Sequence, residues 1–142
     1  MFIHLRTAAA LAAALVATVG GCGSKSDLPE TVPVSGTITY NTEPVPQGTI
    51  TFLSAEGHTA TGTIQPDGSY RLGTFAAEDG AVPGQHRVMI VADTADPTLI
   101  PGSSPGYEPP KELIPPKYKD ASTSGLVADV SRENSEINFD LE

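Results

Sequence analysis

The chain has no tryptophan, a single cysteine and only 8 Lys and Arg against 17 Asp and Glu among its 142 residues. One cysteine excludes an intramolecular disulfide framework and a cysteine-based zinc site, because both need several thiols. The formal charge of −9 argues against nucleic acid as a partner, since neutralising phosphates takes clustered basic side chains. The length suits one domain of modest size.

Glycine and proline, in contrast, make up 27 of the 142 residues, about 19% against the usual level of about 12%. This composition favours strands joined by turns over long helices. Beyond the N-terminal region, apolar residues recur with a period of two, as in Val34, Gly36 and Ile38. The strands predicted in this way are 34–40, 48–54, 59–65, 69–72, 85–92, 126–130 and 136–142. Seven short strands separated by turn signals predict an all-β fold, a seven-stranded antiparallel β-sandwich.

The N-terminal segment has the pattern of a signal peptide. Arg6 precedes an apolar run, residues 7–19, that contains only Ala, Leu, Val and Thr. As a helix these 13 residues would span about 20 Å, short of the ~30 Å hydrocarbon core of a membrane. We therefore predict a signal helix that targets the chain for export; the alternative is a buried helix of the folded domain.

The residues that follow resemble the bacterial lipobox, with Val19, Gly20 and Gly21 before the only cysteine, Cys22. The resemblance implies cleavage after Gly21 and lipidation of the Cys22 sulfur, whereas an ordinary signal peptide would leave a free thiol. The predicted domains are a signal peptide at 1–21, a flexible tether at 22–31 and a β-sandwich domain at 32–142. The mature chain would have 121 residues and a charge of −10, so the lipid alone would hold it on the extracytoplasmic side of a bacterial membrane, at the periplasmic or cell-surface face.

A proline-rich loop interrupts the strand pattern at 94–124, with seven of its residues being proline. Loops longer than about 15 residues are uncommon in compact domains and are often functional. In one interpretation the loop binds a ligand, with Tyr107 and Tyr118 as the candidate binding residues. In the other it is a stiff crossover between sheets, in which Leu113, Ile114 and Tyr118 tuck onto the core.

An ordered set of motifs extends over nearly the whole mature chain: VSGTITY at 34–40, PVPQGTITF at 44–52, PDGSY at 66–70, GAVPG at 80–84 and NFDL at 138–141. Together they resemble the small carboxypeptidase-regulatory-like (transthyretin-like) lipoproteins of planctomycete bacteria. The resemblance implies a prealbumin-like sandwich without a catalytic residue. The related hydroxyisourate hydrolases end in Tyr-Arg-Gly-Ser, a signature that the end of this chain lacks.

Side chains suited to catalysis or metal binding are few. His4 leaves with the signal peptide, and His58 and His86 are isolated, so we predict no metal site and no cofactor. The loop acids at 78–79 and 93–96 are interpreted as solvated carboxylates; calcium binding is the alternative, although the twelve-residue calcium-loop pattern is missing. We expect no enzyme activity, because no known catalytic motif is present.

These observations leave three hypotheses for function. The first is a lipid-anchored extracytoplasmic β-sandwich with a non-catalytic structural or interaction role in the cell envelope, its partner an envelope protein or a glycan. The second is a carbohydrate- or peptide-binding module with the proline-rich loop as its rim. The third, an enzyme, would need a cleft in which His, Arg and acidic side chains meet.

Overall fold

The computed structural model of the protein describes residues 27–142; the predicted signal helix and Cys22 lie outside these residues. The described part is all-β, with eight strands in two four-stranded sheets and one short 3-10 helix, Pro116–Lys119. The strands are β1 (Ser35–Tyr40), β2 (Glu43–Pro44), β3 (Gly48–Ser54), β4 (Thr59–Ile64), β5 (Ser69–Arg71), β6 (Gly84–Val91), β7 (Leu126–Val130) and β8 (Phe139–Leu141). Between residues 27 and 142, helical structure is nowhere long and apolar enough to cross a bilayer.

Each of the seven predicted strand segments contains a strand, and the eighth strand, β2, lies where the sequence indicated only a turn. Asn41 and Thr42 have positive φ values of 50° and 69°. Two such residues in succession make a turn whose twist matches that of the flanking strands, so the chain pairs again at once. Proline has no amide hydrogen to donate within a sheet, but Pro44 is tolerated because β2 lies at an edge.

Sheet one is built around β1, which has neighbours on both edges. The β5 strand pairs antiparallel with the first half of β1 and β2 with the second half, while β8 pairs parallel with β1 from Ile38 to Tyr40. The Ile38 amide donates to the carbonyl oxygen of Gly68 on one edge, and the Asn41 amide donates to that of Leu141 on the other. The first and the last strand of the domain, β1 and β8, are therefore paired directly.

Sheet two has the order β4-β3-β6-β7, with every pair antiparallel. The sequence is apolar on both faces from Val88 to Ala92, a pattern that predicts a central strand, and β6 does lie between β3 and β7. Val88 and Ile90 are buried on the inner face, while Met89 is half-buried on the other. The second face of β6 is therefore covered for part of its length.

The core lies between the sheets and takes side chains from both. The Phe52 ring of sheet two lies 6.3 Å from the Tyr70 ring and 6.0 Å from the Phe139 ring of sheet one, measured between centroids. The alternation of apolar and polar residues in their strands predicts that Phe52, Tyr70 and Phe139 face inward, and the structure confirms it. Tyr40 packs against the same core from the edge. Within residues 27–142, every buried side-chain nitrogen and oxygen has a hydrogen-bond partner.

The two ends of the sheets carry different parts of the chain. Val32 bridges Ala81 just before β6 begins, so the chain enters the fold at this end, here called the entry end. The β6 strand runs from the entry end to the opposite end, here called the far end, where the proline-rich loop leaves it. Tyr40 pairs with Leu141 at the far end, so the C-terminus lies there too.

The proline-rich loop closes on itself at its base. The Thr94 amide donates to the carbonyl oxygen of Lys111, and the Leu113 amide donates to that of Ala92, both at 3.0 Å. Residues 95–110 form an excursion, and residues 111–124 return along the core. Ile114 is buried in this return segment, as predicted.

We expect Phe52→Ala to lower the free energy of unfolding by about 3–5 kcal/mol, because the substitution removes a fully buried ring and leaves a cavity between the sheets. Val127→Ala is the control: Val127 is 56% exposed in β7, and its truncation should change stability by about 0.5 kcal/mol or less. Urea unfolding measures both. Equal stability of the two variants would contradict packing of both sheets on one core.

The fold should also lose stability in alkali through Tyr70. Burial raises the pKa of the Tyr70 phenol, whose hydroxyl donates to the carbonyl oxygen of Ile137 at 2.6 Å. The phenol ionises near pH 10 in the unfolded chain but resists ionisation in the folded one, so stability falls as the pH rises through about 10. Tyr70→Phe removes this contribution, and its urea midpoint should therefore fall less steeply than that of the wild type between about pH 9 and 11. If the urea midpoints of Tyr70→Phe and the wild type fell equally with pH, the phenol would not be buried.

Candidate functional site

The two tyrosines predicted as binding residues lie in different places. Tyr118 is 5% exposed, and its hydroxyl donates to the carbonyl oxygen of Glu142 at 3.0 Å while accepting the Glu142 amide at 3.2 Å. Its ring therefore belongs to the core, as the crossover interpretation proposed. Tyr107 is half-buried on the excursion and lines a cavity of about 340 Å³ with Asp96 and Leu99. The structure does not bring the two tyrosines together.

A larger cleft, of about 970 Å³, lies where β4 of sheet two runs beside β5 of sheet one, and we call it the hairpin cleft. Its walls are rich in hydroxyl groups, from Ser35, Thr37, Thr61, Thr63, Ser69 and Thr74. Gln65 adds an amide, Phe75 an aromatic ring, and Arg71 and Glu78 opposite charges. The hairpin cleft thus combines neutral donors and acceptors with one ion pair and one exposed ring.

The cleft exists because a single hairpin belongs to both sheets. Its turn, Pro66-Asp67-Gly68, consists of three residue types that favour turns. The Asp67 carboxylate accepts the Ser69 amide at 3.0 Å and the Ser69 hydroxyl at 2.6 Å. The hydroxyl contact is the main reason that the pKa of Asp67 is lowered. The strands on either side of the turn pair in different sheets: β4 pairs with β3 in sheet two, and β5 pairs with β1 in sheet one.

Gly62 lets the two strands approach each other at the floor of the cleft. A Cβ atom at Gly62 would lie 2.5 Å from the carbonyl oxygen of Arg71, which is closer than atoms can pack. Backbone hydrogen bonds between Thr61 and Gly73, 2.9 Å in each direction, then fasten the hairpin at the entry end. The glycine is required here by close approach, and the strand pattern alone does not reveal it.

Phe75 is held at the rim of the cleft by the loop that follows β5. The Asp79 carboxylate accepts the backbone amides of Thr74, Phe75 and Ala76 at 2.6, 3.1 and 3.0 Å. Burial raises the pKa of Asp79, but these amide hydrogen bonds together outweigh it and leave the pKa below its ordinary value. The Asp79 carboxylate therefore fixes the backbone that carries the ring.

The Phe75 ring is 38% exposed and is supported from behind by His58 of the turn between β3 and β4. The two rings meet edge to face, with centroids 5.8 Å apart and an interplanar angle of 75°. An aromatic ring that keeps a partner on one side and solvent on the other is ready to receive an apolar surface. Its position is fixed before any ligand arrives.

Arg71 and Glu78 form an ion pair in the lining of the same cleft. The Arg71 Nη1 and Glu78 Oε2 atoms lie 3.5 Å apart, and the side chains are 70% and 65% exposed. An exposed pair of this kind contributes little to stability. Both groups can therefore exchange this contact for hydrogen bonds to a ligand at small cost.

Sequence reasoning did not identify Phe75 as a site residue. The sequence predicts a loop at 74–82, and its exposed aromatic candidates, Tyr107 and Tyr118, lie in the proline-rich loop. The available signal was an aromatic residue inside a short loop that also contains Asp79, whose side chain suits holding backbone amides. Applied to each loop in turn, that criterion would have found Phe75.

The isolated histidines and loop acids have structural partners. His86 is buried, with its Nδ1 atom 3.0 Å from the carbonyl oxygen of Gly84, and it packs on Phe52. The Asp93 carboxylate accepts the Ala95 amide at 3.0 Å. In the part of the chain from 27 to 142, no three His, Cys, Asp or Glu side chains come close enough together to hold a metal ion.

We expect Asp79→Asn to loosen the loop that holds Phe75, because an amide accepts backbone hydrogen bonds more weakly than a carboxylate. Amide hydrogen exchange of Thr74, Phe75 and Ala76 should become faster, while exchange in β6 should not change. Glu78→Gln is the matched control, since the Glu78 carboxylate accepts a hydrogen bond from the exposed Arg71 side chain and not from the backbone amides of the loop.

Acid should loosen the same loop in the wild-type chain. Because the pKa of Asp79 is below 3.8 in the folded chain, the carboxylate stabilises the loop above about pH 3.8, and this contribution is lost as the pH falls through the folded-state pKa. Unchanged exchange in Asp79→Asn, or a loss equal to that in Glu78→Gln, would refute the role given to this carboxylate.

Comparison of the chain with family models, with curated proteins and with solved structures finds no match in any of the three. The resemblance to carboxypeptidase-regulatory-like lipoproteins therefore stays a prediction. The hairpin cleft has to be interpreted from its own geometry.

Proposed function

We propose that this protein is a lipid-anchored, extracytoplasmic module of a bacterial cell envelope that binds a partner without catalysing a reaction. The observation that carries the proposal is the hairpin cleft, in which an exposed ring, an exchangeable ion pair and several hydroxyl groups face the same space. Such a surface offers contacts to a ligand. The partner would be a glycan or a protein of the envelope.

Lipid anchoring is supported by the apolar run at 7–19 and by the position of Cys22 directly behind Gly21. The tether at 22–31 would reach about 35 Å at most when fully extended. It would join the domain at the entry end, where Val32 bridges Ala81 and where Glu30 pairs with Arg132. The charge of −10 on the mature chain would add no attraction to an anionic membrane.

A non-catalytic role is supported by the way the perturbed carboxyl groups are used. The pKa is below its ordinary value in Asp67, Asp96 and Asp120 chiefly because each carboxylate accepts a hydroxyl hydrogen bond from the residue two positions later. The pKa of Asp79 is low because of backbone amides. These hydrogen bonds shape loops and account for the shifts without a catalytic environment.

The finer fold assignment, a prealbumin-like sandwich, is proposed on two grounds. The motif order resembles that of the carboxypeptidase-regulatory-like lipoproteins, and both sheets share one core. The two-residue β2 accounts for the difference between the seven strands that the resemblance implies and the eight observed. Membership of that group is part of the proposal.

A second candidate surface is the cavity of about 340 Å³ on the proline-rich loop. It is lined by Tyr107, Asp96 and Leu99, and it lies at the far end of the domain, opposite the proposed anchor. A carbohydrate or peptide bound there would be held away from the membrane. The smaller space and the half-buried ring make it the weaker of the two surfaces.

We expect Cys22→Ala to take up no labelled palmitate and to retain residues 1–21, because both lipid transfer and the cleavage that follows it need the Cys22 sulfur. The wild-type chain should be labelled and should begin at Cys22 by mass spectrometry. Ser24→Ala is the matched control and should behave like the wild type. Equal labelling of Cys22→Ala and the wild type, or an unlabelled wild type, would refute the anchor.

The interaction role is tested by crosslinking the anchored protein in its native envelope and isolating it with whatever is attached. A reproducible crosslinked protein or glycan is the expected result. Recovery of the uncrosslinked chain alone, with crosslinkers of several lengths, would contradict the proposed role.

A further inference from the structure

We infer that the hairpin cleft binds a neutral oligosaccharide, with one sugar face stacked on Phe75 and its hydroxyls hydrogen-bonded by Arg71 and Glu78. The inference rests on the proposed function and names its ligand class. It places the ligand beside β4 and β5, and not on the proline-rich loop. Four features of the cleft lead to it.

The first feature is the ring. One face of a pyranose presents C–H groups and is apolar, so it packs well against an aromatic ring whose outer side is exposed. Phe75 provides such a ring, and contact with His58 together with the Asp79 hydrogen bonds fixes its orientation. A binding ring that is already ordered loses little conformational entropy when the ligand arrives.

The second feature is the mixture of donors and acceptors. A sugar hydroxyl both donates and accepts, and Arg71 supplies donors while Glu78 supplies acceptors from one wall of the cleft. The side-chain hydroxyls of Thr61 and Thr63 do both, whereas the Ser69 hydroxyl donates to Asp67 and is left as an acceptor. A ligand rich in hydroxyl groups matches this lining better than an apolar ligand, for which the cleft offers one large exposed ring.

The third feature is the charge balance. Arg71 is the cation of the cleft lining, and the same lining contains two carboxylates, Glu78, which pairs with Arg71, and Glu136. The whole chain also carries a formal charge of −9. An anionic polysaccharide would be repelled, so the chemistry favours a neutral glycan.

The fourth feature argues against an extended peptide, which would bind by pairing with a free strand edge. The outward edge of β4 is occupied at Thr61 by Gly73, through two hydrogen bonds of 2.9 Å. At the other end of the hairpin the Gln65 amide donates to the carbonyl oxygen of Ser69 at 2.8 Å. No long run of strand edge is left for a peptide within the hairpin cleft.

The absence of tryptophan makes a direct test available. Phe75→Trp places a single fluorophore on the cleft and keeps an aromatic face for stacking. The full-length chain is purified in a detergent without a sugar headgroup and titrated with a glucan hexasaccharide and with an N-acetylglucosamine hexasaccharide. A uronic-acid oligosaccharide and a decapeptide library are titrated for comparison. We expect saturable quenching or a shift of the emission with at least one of them, and about tenfold weaker binding when Arg71→Ala is added.

Tyr107→Trp is the matched control, because it places the fluorophore at the cavity of the proline-rich loop. Its emission should not respond to either sugar. Phe75→Ala should lose most of the binding measured by calorimetry, while its melting temperature should stay close to that of the wild type.

Several results would overturn the inference. One is the lack of any fluorescence response of Phe75→Trp to either hexasaccharide. Another is a response of Phe75→Trp only to a uronic-acid oligosaccharide or to a decapeptide library. The third is a response of Tyr107→Trp in place of Phe75→Trp. The failure of the proposed function is recognised separately. A wild type without palmitate label would refute the anchor, and crosslinking that captures no partner would refute the interaction role. Loss of sugar binding alone would leave both in place.

Discussion

The pairing of β1 on both edges is the constraint on which the rest of the structure depends. Its first half binds β5, and its second half binds β2 on one edge and β8 on the other, so residues about 100 positions apart become neighbours. Gly36 shows how tight this junction is, since a Cβ atom there would lie 1.8 Å from the carbonyl oxygen of Ile137. The same carbonyl accepts the Tyr70 hydroxyl. Pairing with β1 therefore sets the positions of the C-terminal strand and of the Tyr70 ring of β5, and the distance between the two.

The hairpin cleft follows from that constraint. Because β5 is bound to β1 in sheet one while β4 is bound to β3 in sheet two, the hairpin that joins them cannot lie flat in either sheet. Its turn and its base are hydrogen-bonded, and the space along it is lined by side chains that a continuous sheet would have covered. Phe75 and Glu78 come from the loop that leads the chain from β5 back to sheet two. The cleft is thus a consequence of topology, and its chemistry comes from a short loop.

Strand positions and inward faces were predictable because the signal is local: in β4, for example, alternate residues are buried over the whole strand. The parallel pairing of β8 with β1 was not predictable, since nothing in the pattern of either segment specifies a partner 100 residues away. The brief β2 depended on two non-glycine residues adopting positive φ, which propensity disfavours. For the site, the loop at 74–82 was predicted, but the exposure of Phe75 depends on the Asp79 hydrogen bonds and on contact with His58. The features that could not be predicted from the sequence are those that depend on contacts between segments far apart in the chain.

The entry end and the far end of the domain carry different loops, and this difference bears on its function. Val32 joins the fold at the entry end, and Phe75 is carried by a loop of the same end, whereas Tyr107 is carried by a loop of the far end. If Cys22 holds the chain to a membrane, a tether that reaches about 35 Å keeps the hairpin cleft within the layer next to that membrane. The proline-rich loop would then project outward by the additional length of the sheets. With this anchor, a ligand of the cleft would be a chain that comes close to the membrane surface, and a neutral glycan would avoid the repulsion that the acidic domain imposes on an anionic one.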